Sequence, residues 1–318
     1  MKDILVIGGS YFVGRVFVEE LSKRKEYRIT VLNRGNIPIR RSEVREILCD
    51  RHDTHRMGEL LPSLHWHGIV DFCAYTPGDV AETLSVLPDH AFGRYILIST
   101  ASVYAPAMSL PIEESAPRLT GPQPELGPFA DYAYDKSRTE QELQRRCEER
   151  GFPYTIIRPA FIYGKYNYAP RENYFFDLIE KGSKIVLPEN SLALFSFVSV
   201  WDVARIIIGC LETDAALNRA FNASAEELVS YPRLAEVLGI VTGKRLEIET
   251  MSTGEIEERR IPLPFPLSEH LIYAGTLIQR TIDFSYTPFL EGMRETYRFY
   301  RLGRGLPWPP PLPGGAET

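Results

Sequence analysis

A glycine-rich turn between an apolar strand and an amphipathic helix constrains this chain more than any other feature. The apolar run at residues 4–7 ends at Gly8 and Gly9, and apolar residues then recur at helical spacing from Val13 to Leu21. A second apolar run, at residues 29–32, follows closely enough to lie parallel beside the first. The pattern predicts a βαβ unit of dinucleotide-binding size.

The glycines of this turn suit one kind of chemistry. Without side chains at Gly8 and Gly14, the backbone can approach a pyrophosphate, whose charge then rests on free amides and the positive helix end. The alternative is that the glycines cap an ordinary βα turn. Because strand, turn, helix and second strand are all present, the sequence favours a cofactor. One departure is Tyr11, which stands where the pattern G-x-x-G-x-x-G has its middle glycine.

Length and charge limit the class of protein. A chain of 318 residues, 44% of them hydrophobic, can bury a full core and is predicted to form one large or two unequal domains. The net charge of -6 disfavours a nucleic-acid surface, because phosphate binding requires a basic field. No apolar run reaches the roughly 18 residues of a membrane span. The sequence therefore predicts a cytoplasmic protein without a membrane or nucleic-acid partner.

Cysteines and histidines do not predict a metal site. The four cysteines are far apart and contain no C-x-x-C pair, so neither a disulfide framework nor a zinc ribbon is implied. No cysteine or carboxylate cluster completes a ligand set with the histidines between 52 and 67, which are interpreted as surface or packing residues.

Polar residues follow several later strands. The predicted third strand, 44–49, ends at Asp50, which could accept from the adenine amine or be only an exposed turn acid. The fourth, 68–73, leads to residues 74–78. The fifth, 94–98, runs into the hydroxyl-rich segment from Ser99 to Tyr104. Doubly wound parallel sheets bind their ligands at this edge.

Tyr132 and Lys136 lie four residues apart in a helix predicted to open at Asp131, and so share one face. Lowering a tyrosine pKa from about 10 to about 7 requires roughly 4 kcal/mol of preference for the phenolate, which an ammonium and a nicotinamide ring can supply. Thr100 would hold the substrate oxygen, while Tyr132 moves its proton and Lys136 tunes the tyrosine and binds the ribose. The alternative is a solvated i,i+4 pair.

Five segments together resemble the extended short-chain dehydrogenases/reductases, the NAD-dependent epimerase/dehydratase family. They are Gly8-Gly9-x-x-Phe12-x-Gly14, residues 99–104, Tyr132-x-x-x-Lys136, residues 158–164 and residues 197–204. The resemblance implies a Rossmann doubly wound parallel α/β sheet with a smaller C-terminal substrate-binding domain. It assigns residues 1–162 with 195–243 to the NAD(P)-binding domain, and residues 163–194 with 244–318 to the smaller one.

The resemblance also implies the site residues. The implied catalytic set is Thr100, Tyr132 and Lys136. The implied cofactor contacts are Gly8, Ser10, Tyr11, Phe12, Val13, Asn33, Arg34, Asp50, Arg51, Cys73, Ala74, Tyr75, Ser99, Tyr132, Lys136 and Pro159. The implied substrate contacts are Tyr75, Ser102, Tyr104 and Phe161. The predicted activity is hydride transfer to or from a sugar-like, possibly nucleotide-sugar, alcohol or ketone, as an epimerase or a reductase.

Two departures from the family pattern bear on the substrate. Ala101 and Ser102 replace the acidic pair with which dehydratases eliminate water, which argues against simple 4,6-dehydration. Phe195 and Ser196 replace an arginine and an aspartate of many nucleotide-sugar members, and residues 263–280 contain no arginine-based diphosphate clamp. The last two observations argue against a nucleoside-diphosphate sugar as the substrate.

The end of the second strand bears on the choice of cofactor. NAD-specific folds place an acid there for the ribose hydroxyls, whereas this strand ends at Asn33 and Arg34, with Arg15 after Gly14. Guanidinium groups suit a 2′-phosphate, so NADP is favoured over NAD. The alternative is that both arginines are solvated surface residues.

Two further predictions concern partners. Leu143 and Cys147 give the helix that opens at Asp131 a second apolar face, and this helix resembles the one through which family members form homodimers. The glycine-glycine-x-x-Phe variant also resembles plastid RNA-binding members of the family, so a cofactor-loaded binding protein without turnover is the alternative function. The proline-rich segment 307–311 is predicted to be a loose or polyproline tail.

Overall fold

Seven parallel strands form the central sheet of the protein in this computed structural model, which describes residues 1–89, 91–107 and 109–303. The strands of the described residues are β1 (Lys2–Ile7), β2 (Tyr27–Asn33), β3 (Val44–Leu48), β4 (Gly68–Asp71), β5 (Tyr95–Ile98), β6 (Tyr154–Pro159), β7 (Phe161–Tyr163), β8 (Ile185–Pro188), β9 (Phe195–Ser199), β10 (Arg219–Ala223), β11 (Leu228–Val229) and β12 (Ile248–Met251). The helices are α1 (Phe12–Leu21), α2 (Thr54–Leu60), α3 (Pro77–Ser85), α4 (Tyr132–Arg150), α5 (Glu172–Lys181), α6 (Val200–Glu212), α7 (Tyr231–Thr242), α8 (Thr253–Glu258), α9 (Thr276–Ile282) and α10 (Phe289–Gly303). Short 3₁₀ turns cover Ala101–Val103, Pro124–Phe129 and Asp214–Ala216.

The order of the large sheet is β10-β6-β5-β4-β1-β2-β3, with every neighbouring pair parallel. The order reverses between β1 and β4, and the carboxyl ends of these two strands flank the crevice where doubly wound sheets bind ligands. The predicted Rossmann fold class is confirmed.

Helices cover both faces of this sheet, which explains why its strands read as continuous apolar runs. In β1, Ile4, Val6 and their apolar neighbours are at most 1% exposed. One face packs with α1 and α6, and the other with α3 and α4. The predicted strands along 4–7, 29–32, 44–49, 68–73 and 94–98 all form, and no strand end differs from the prediction by more than two residues.

The apolar face of α4 is internal. Leu143 and Cys147 are fully buried in the core between the sheet and α3. This part of the dimer prediction is wrong, because the stripe is used for packing within the subunit.

A third hydrophobic cluster lies outside the large sheet. It contains Phe175 of α5, Tyr231 and Leu238 of α7, and Met293 of α10. Phe265, from the segment between α8 and α9, also belongs to it. The sequence-based division places α7 in the Rossmann domain, whereas its apolar face packs here. The division into domains remains a prediction, and residues 304–318, including the proline-rich segment, lie outside the described residues. Along the described chain, no helix has both the length and the apolar character needed to cross a bilayer.

Candidate active site

The glycine turn after β1 has the backbone that its sequence predicts. Gly8 and Gly9 adopt φ of 89° and 73°, which side chains disfavour. A Cβ at Gly14 would lie 2.7 Å from Gly9 Cα, so this glycine lets α1 pack directly on the turn. Tyr11, the N-cap residue of α1, makes no side-chain capping bond. The first-turn amides therefore suit a bound anion such as a pyrophosphate.

Aromatic residues cover this turn. Phe12 has φ of 37°, a strained value for a bulky residue that commonly marks a functional site. Tyr168 stacks on Tyr11 with ring centroids 5.0 Å apart and meets Phe12 edge-on at 5.7 Å. Lys165 and Tyr166 hold the segment that carries Tyr168, because both bond to Glu19 of α1, at 2.7 and 2.8 Å.

The hydroxyl-rich segment follows β5 into the crevice. Ser99 Oγ is buried and has no hydrogen-bond partner among the described residues. Thr100 Oγ1 donates to Ser102 Oγ at 3.1 Å and accepts from the Ser102 amide at 3.1 Å. A buried hydroxyl without a partner at this edge fits a polar ligand, and with the glycine turn it fits a dinucleotide.

Tyr132 begins α4 and is brought to the same edge. The residue as a whole is 42% exposed. Loss of hydration raises the pKa of Tyr132 to about 12, while the nearby Thr100 side chain acts to lower it. The structure thus brings Thr100 and Tyr132 together as the sequence predicts.

Lys136 lies one turn further along α4 and is only 2% exposed. Its Nζ donates to the carbonyl oxygens of Ala74 and Ile98, both at 2.7 Å, and lies 5.6 Å from the Tyr75 ring centroid. Burial lowers the pKa of Lys136 to about 8, against the opposing charges of Asp71 and Glu140. The ammonium group therefore ties together the ends of β4 and β5.

A buried ion pair lies beneath the segment after β4. Arg51 binds Asp71 through two hydrogen bonds of 3.0 and 2.9 Å and also donates to Thr83 Oγ1 at 2.8 Å. Asp71 in turn accepts from the amide of Cys73 at 3.0 Å and from the Tyr95 hydroxyl at 2.5 Å. The Arg51 side chain, predicted as a cofactor contact, is instead occupied in supporting residues 73–75.

Asp50 is exposed, and its carboxylate accepts from the His52 amide at 3.0 Å. His52 also lies with Asp79 and Glu82 in a group whose potential ligand atoms are within 4.8 Å of one another. Asp79 Oδ2 accepts hydrogen bonds from the amides of Tyr75 and Thr76, both at 2.7 Å. Asp79 therefore caps the N-terminus of α3, which is a structural role.

The environment at the end of β2 does not support the argument by which the sequence favours NADP. Asn33 Nδ2 donates to Glu46 Oε1 at 2.7 Å, and its Oδ1 accepts the Gly35 amide at 2.6 Å. Arg15 lies over the Tyr166 ring at 5.1 Å and donates to the Pro38 carbonyl at 3.4 Å, while Arg34 is exposed. A carboxylate from β3 thus stands beside Asn33, where it would repel a 2′-phosphate. The preference for NADP over NAD is not supported.

The predicted substrate contacts separate into two groups. Tyr75 and Ser102 are exposed at the crevice, and Phe161 is partly exposed beyond Pro159, which ends β6. Tyr104 is 6% exposed, donates to Asn222 Oδ1 at 2.6 Å and accepts from Arg158 Nη1 at 2.8 Å. Its hydroxyl is therefore taken up by the interior rather than presented to a substrate.

Four residues at the site were missed from the sequence. They are Glu46, Asp71, Tyr168 and Arg171. The strand register places Glu46, and Asp71 could have been found as an acid that ends a buried strand. Tyr168 and Arg171 belong to the irregular segment 164–171, whose sequence has no periodic signal.

Comparison with known families agrees with this geometry. The family model described as NAD dependent epimerase/dehydratase family matches residues 4–224. The chain belongs to this family. The family is described as NAD dependent, and the relatives of this chain include both enzymes and a binding protein.

Two relatives illustrate that range. The chloroplast stem-loop binding protein of 41 kDa b of Arabidopsis thaliana is 26% identical over 324 residues, covering 96% of this chain and 80% of that protein. The UDP-glucose 4-epimerase of Vibrio cholerae is 24% identical over 267 residues, covering 76% of each.

Solved structures show the same fold. The dTDP-glucose 4,6-dehydratase of Bacillus anthracis, in complex with NAD, matches with a TM-score of 0.78 and 16% identity, covering 96% of this chain and 98% of that one. The UDP-glucose 4-epimerase of Thermotoga maritima, with UDP-glucose, matches with a TM-score of 0.76 and 18% identity, covering 95% and 99%. At these identities the likeness concerns the fold alone.

Proposed function

We propose that this family member transfers a hydride between a nicotinamide dinucleotide and a sugar-like alcohol or ketone, as a reductase or an epimerase. The observation that carries the proposal is that Thr100 and Tyr132 lie together at the carboxyl edge of the sheet, with the buried Lys136 one helical turn further along α4. The cofactor, when bound, supplies or accepts the hydride.

The side chains supply the proton chemistry. Thr100 holds the substrate oxygen, and Tyr132 donates a proton to it during reduction or removes one during oxidation. With a pKa of about 12, the phenol is protonated at neutral pH and is ready to donate. Lys136 keeps a positive charge at pH 7, because its pKa is about 8. We assign this charge the role of stabilising the Tyr132 phenolate during oxidation.

The proposed cofactor contacts follow the same crevice. The turn of Gly8 and residues 10–13 would hold the pyrophosphate, and the buried hydroxyl of Ser99 would bind the nicotinamide half. Asn33 and Glu46 serve the adenosine ribose, which favours NAD. Asp50 is still proposed to accept a hydrogen bond from the adenine amine. A homodimer and a cytoplasmic location stay predictions, the dimer now on family resemblance alone.

The test uses the purified full chain. NADH and NADPH oxidation is followed against a panel of sugar aldehydes and ketones, beside a gel shift with stem-loop RNA. We expect cofactor oxidation with at least one carbonyl and no RNA shift at physiological salt, since the chain carries a net charge of -6. Specific RNA binding without oxidation would instead support the alternative that its plant relative's name suggests.

A further inference from the structure

Arg171 is a partly buried guanidinium group in the candidate active site with no carboxylate in ion-pair contact among the described residues. It lies over the ring of Phe161, with Cζ 5.2 Å from the ring centroid, and Nη1 donates to the Ile162 carbonyl at 3.0 Å. Its remaining guanidinium donors make no hydrogen bond within the described ranges. A partly desolvated guanidinium group with donors left over is suited to binding an anion.

The neighbouring acid is not that anion. The Glu172 carboxylate accepts from the Gly164 amide at 2.9 Å and from Asn167 Nδ2 at 3.1 and 3.0 Å. Burial raises the pKa of Glu172, while its hydrogen bonds and the charge of Arg171 act to lower it. Glu172 thus acts on Arg171 through its charge but forms no ion pair with it within 4.0 Å among the described residues.

Arg171 also lies next to the reacting groups. Its charge acts on the phenol of Tyr132 and on that of Tyr168. Phe161, the ring beneath it, follows the end of β6 by two residues. The segment that carries Arg171 is anchored to α1 through the bonds of Lys165 and Tyr166 to Glu19. The guanidinium group is thus held in the neighbourhood of Tyr132, with whose phenol its charge interacts.

Residues 195 and 196, where many nucleotide-sugar members of the family carry charged side chains, are uncharged in this chain. Phe195 and Ser196 are 1% and 0% exposed, so the place where many nucleotide-sugar members carry charged residues has an apolar ring and a buried hydroxyl.

We propose that Arg171 binds an anionic group of the substrate close to the reacting carbon, so that the substrate is a small sugar-like alcohol or ketone bearing a carboxylate or a phosphate monoester. Both groups accept the two parallel hydrogen bonds that a guanidinium offers. This inference rests on the proposed function and narrows its substrate class.

The test measures binding rather than turnover. Protein saturated with NADH is titrated calorimetrically with D-glucuronate, D-glucose 6-phosphate, D-glucose and UDP-glucose. We expect at least one of the two small anionic sugars to bind about tenfold or more tightly than glucose, and the stronger of them identifies the anion. Arg171→Gln should remove this preference, and Arg171→Lys should keep part of it.

Arg138→Gln is the matched control, because it removes one exposed positive charge from α4, and it should leave the preference unchanged. Equal binding of glucuronate, glucose 6-phosphate and glucose, or no binding of any of these three, would overturn the proposal. So would tighter binding of UDP-glucose, or a preference that survives Arg171→Gln in protein with wild-type melting temperature.

The two proposals fail in different ways. Tyr132→Phe keeps the ring and should keep the preference for anions while losing turnover. If the wild-type protein shows a preference that depends on Arg171 but oxidises NADH with no carbonyl, the proposed function fails and the anion site stands. If it turns over neutral and anionic carbonyls equally well, the function stands and the role of Arg171 is overturned.

Discussion

Lys136 Nζ donates a hydrogen bond of 2.7 Å to the carbonyl oxygen of Ala74. Ala74 follows β4 and Lys136 lies on α4, so this contact fixes the helix that carries Tyr132 to the strand end that flanks the crevice. A second bond of 2.7 Å, to Ile98, fixes the same ammonium to β5. One buried cation therefore sets the distance between the proposed proton donor and the proposed cofactor site.

The first prediction is that Lys136 titrates near pH 8, because burial disfavours its charged form. Its ¹³Cε resonance, assigned by its loss in Lys136→Met, should shift with an apparent pKa well below those of the exposed lysines. Since the folded pKa lies below the ordinary value of 10.5, the unfolded chain binds more protons between these values. This group's contribution to the free energy of unfolding should therefore rise from about pH 8 to about pH 10.5. Titration of all lysine resonances above pH 10 would contradict the prediction.

The second prediction concerns the ion pair of Arg51 and Asp71. Burial alone would raise the pKa of Asp71, but Arg51 and Tyr95 hold it below its usual range. Asp71→Ala leaves a buried guanidinium unpaired and should lower the free energy of unfolding by about 3–5 kcal/mol in urea denaturation.

Two controls make that measurement decisive. Lys184→Ala breaks an exposed pair with Glu249 and should cost at most about 1 kcal/mol. The double variant Arg51→Met with Asp71→Leu should recover part of the loss, because no charge is left unpaired. An effect of Asp71→Ala no larger than that of Lys184→Ala would show that the buried pair does not support the fold.

The sequence predicts the fold and much of the candidate site because those signals are local. The glycine turn needs only residues 8–14, and Tyr132 and Lys136 share a face through helical spacing alone. Glu46 is not found this way, since it meets Asn33 only through the register of β2 and β3. Arg171 and Tyr104 are likewise placed by tertiary contacts, one by a segment pinned to α1 and the other by Arg158 and Asn222.

The third prediction is that Glu46 sets the choice of cofactor. Its carboxylate is bonded to Asn33, and we expect NADH to bind at least as tightly as NADPH. Glu46→Gln removes the repulsion of a 2′-phosphate and should raise NADPH affinity relative to NADH by about fivefold or more, measured by fluorescence titration. Glu43→Gln removes an exposed charge near the same strand and should leave the ratio unchanged. Tighter NADPH binding by the wild-type protein would reject this role.

The most direct test of the central claim is the Tyr132→Phe variant, assayed for NADH or NADPH oxidation with the best carbonyl of the panel. The variant keeps the ring and loses only the proton donor. We predict cofactor affinity within about twofold of wild type and turnover lower by at least about 100-fold, the effect typical of a general acid. Tyr134→Phe, two residues along the same helix, should retain full turnover. Turnover by Tyr132→Phe close to that of the wild-type protein would contradict the assignment of Tyr132 as the proton donor.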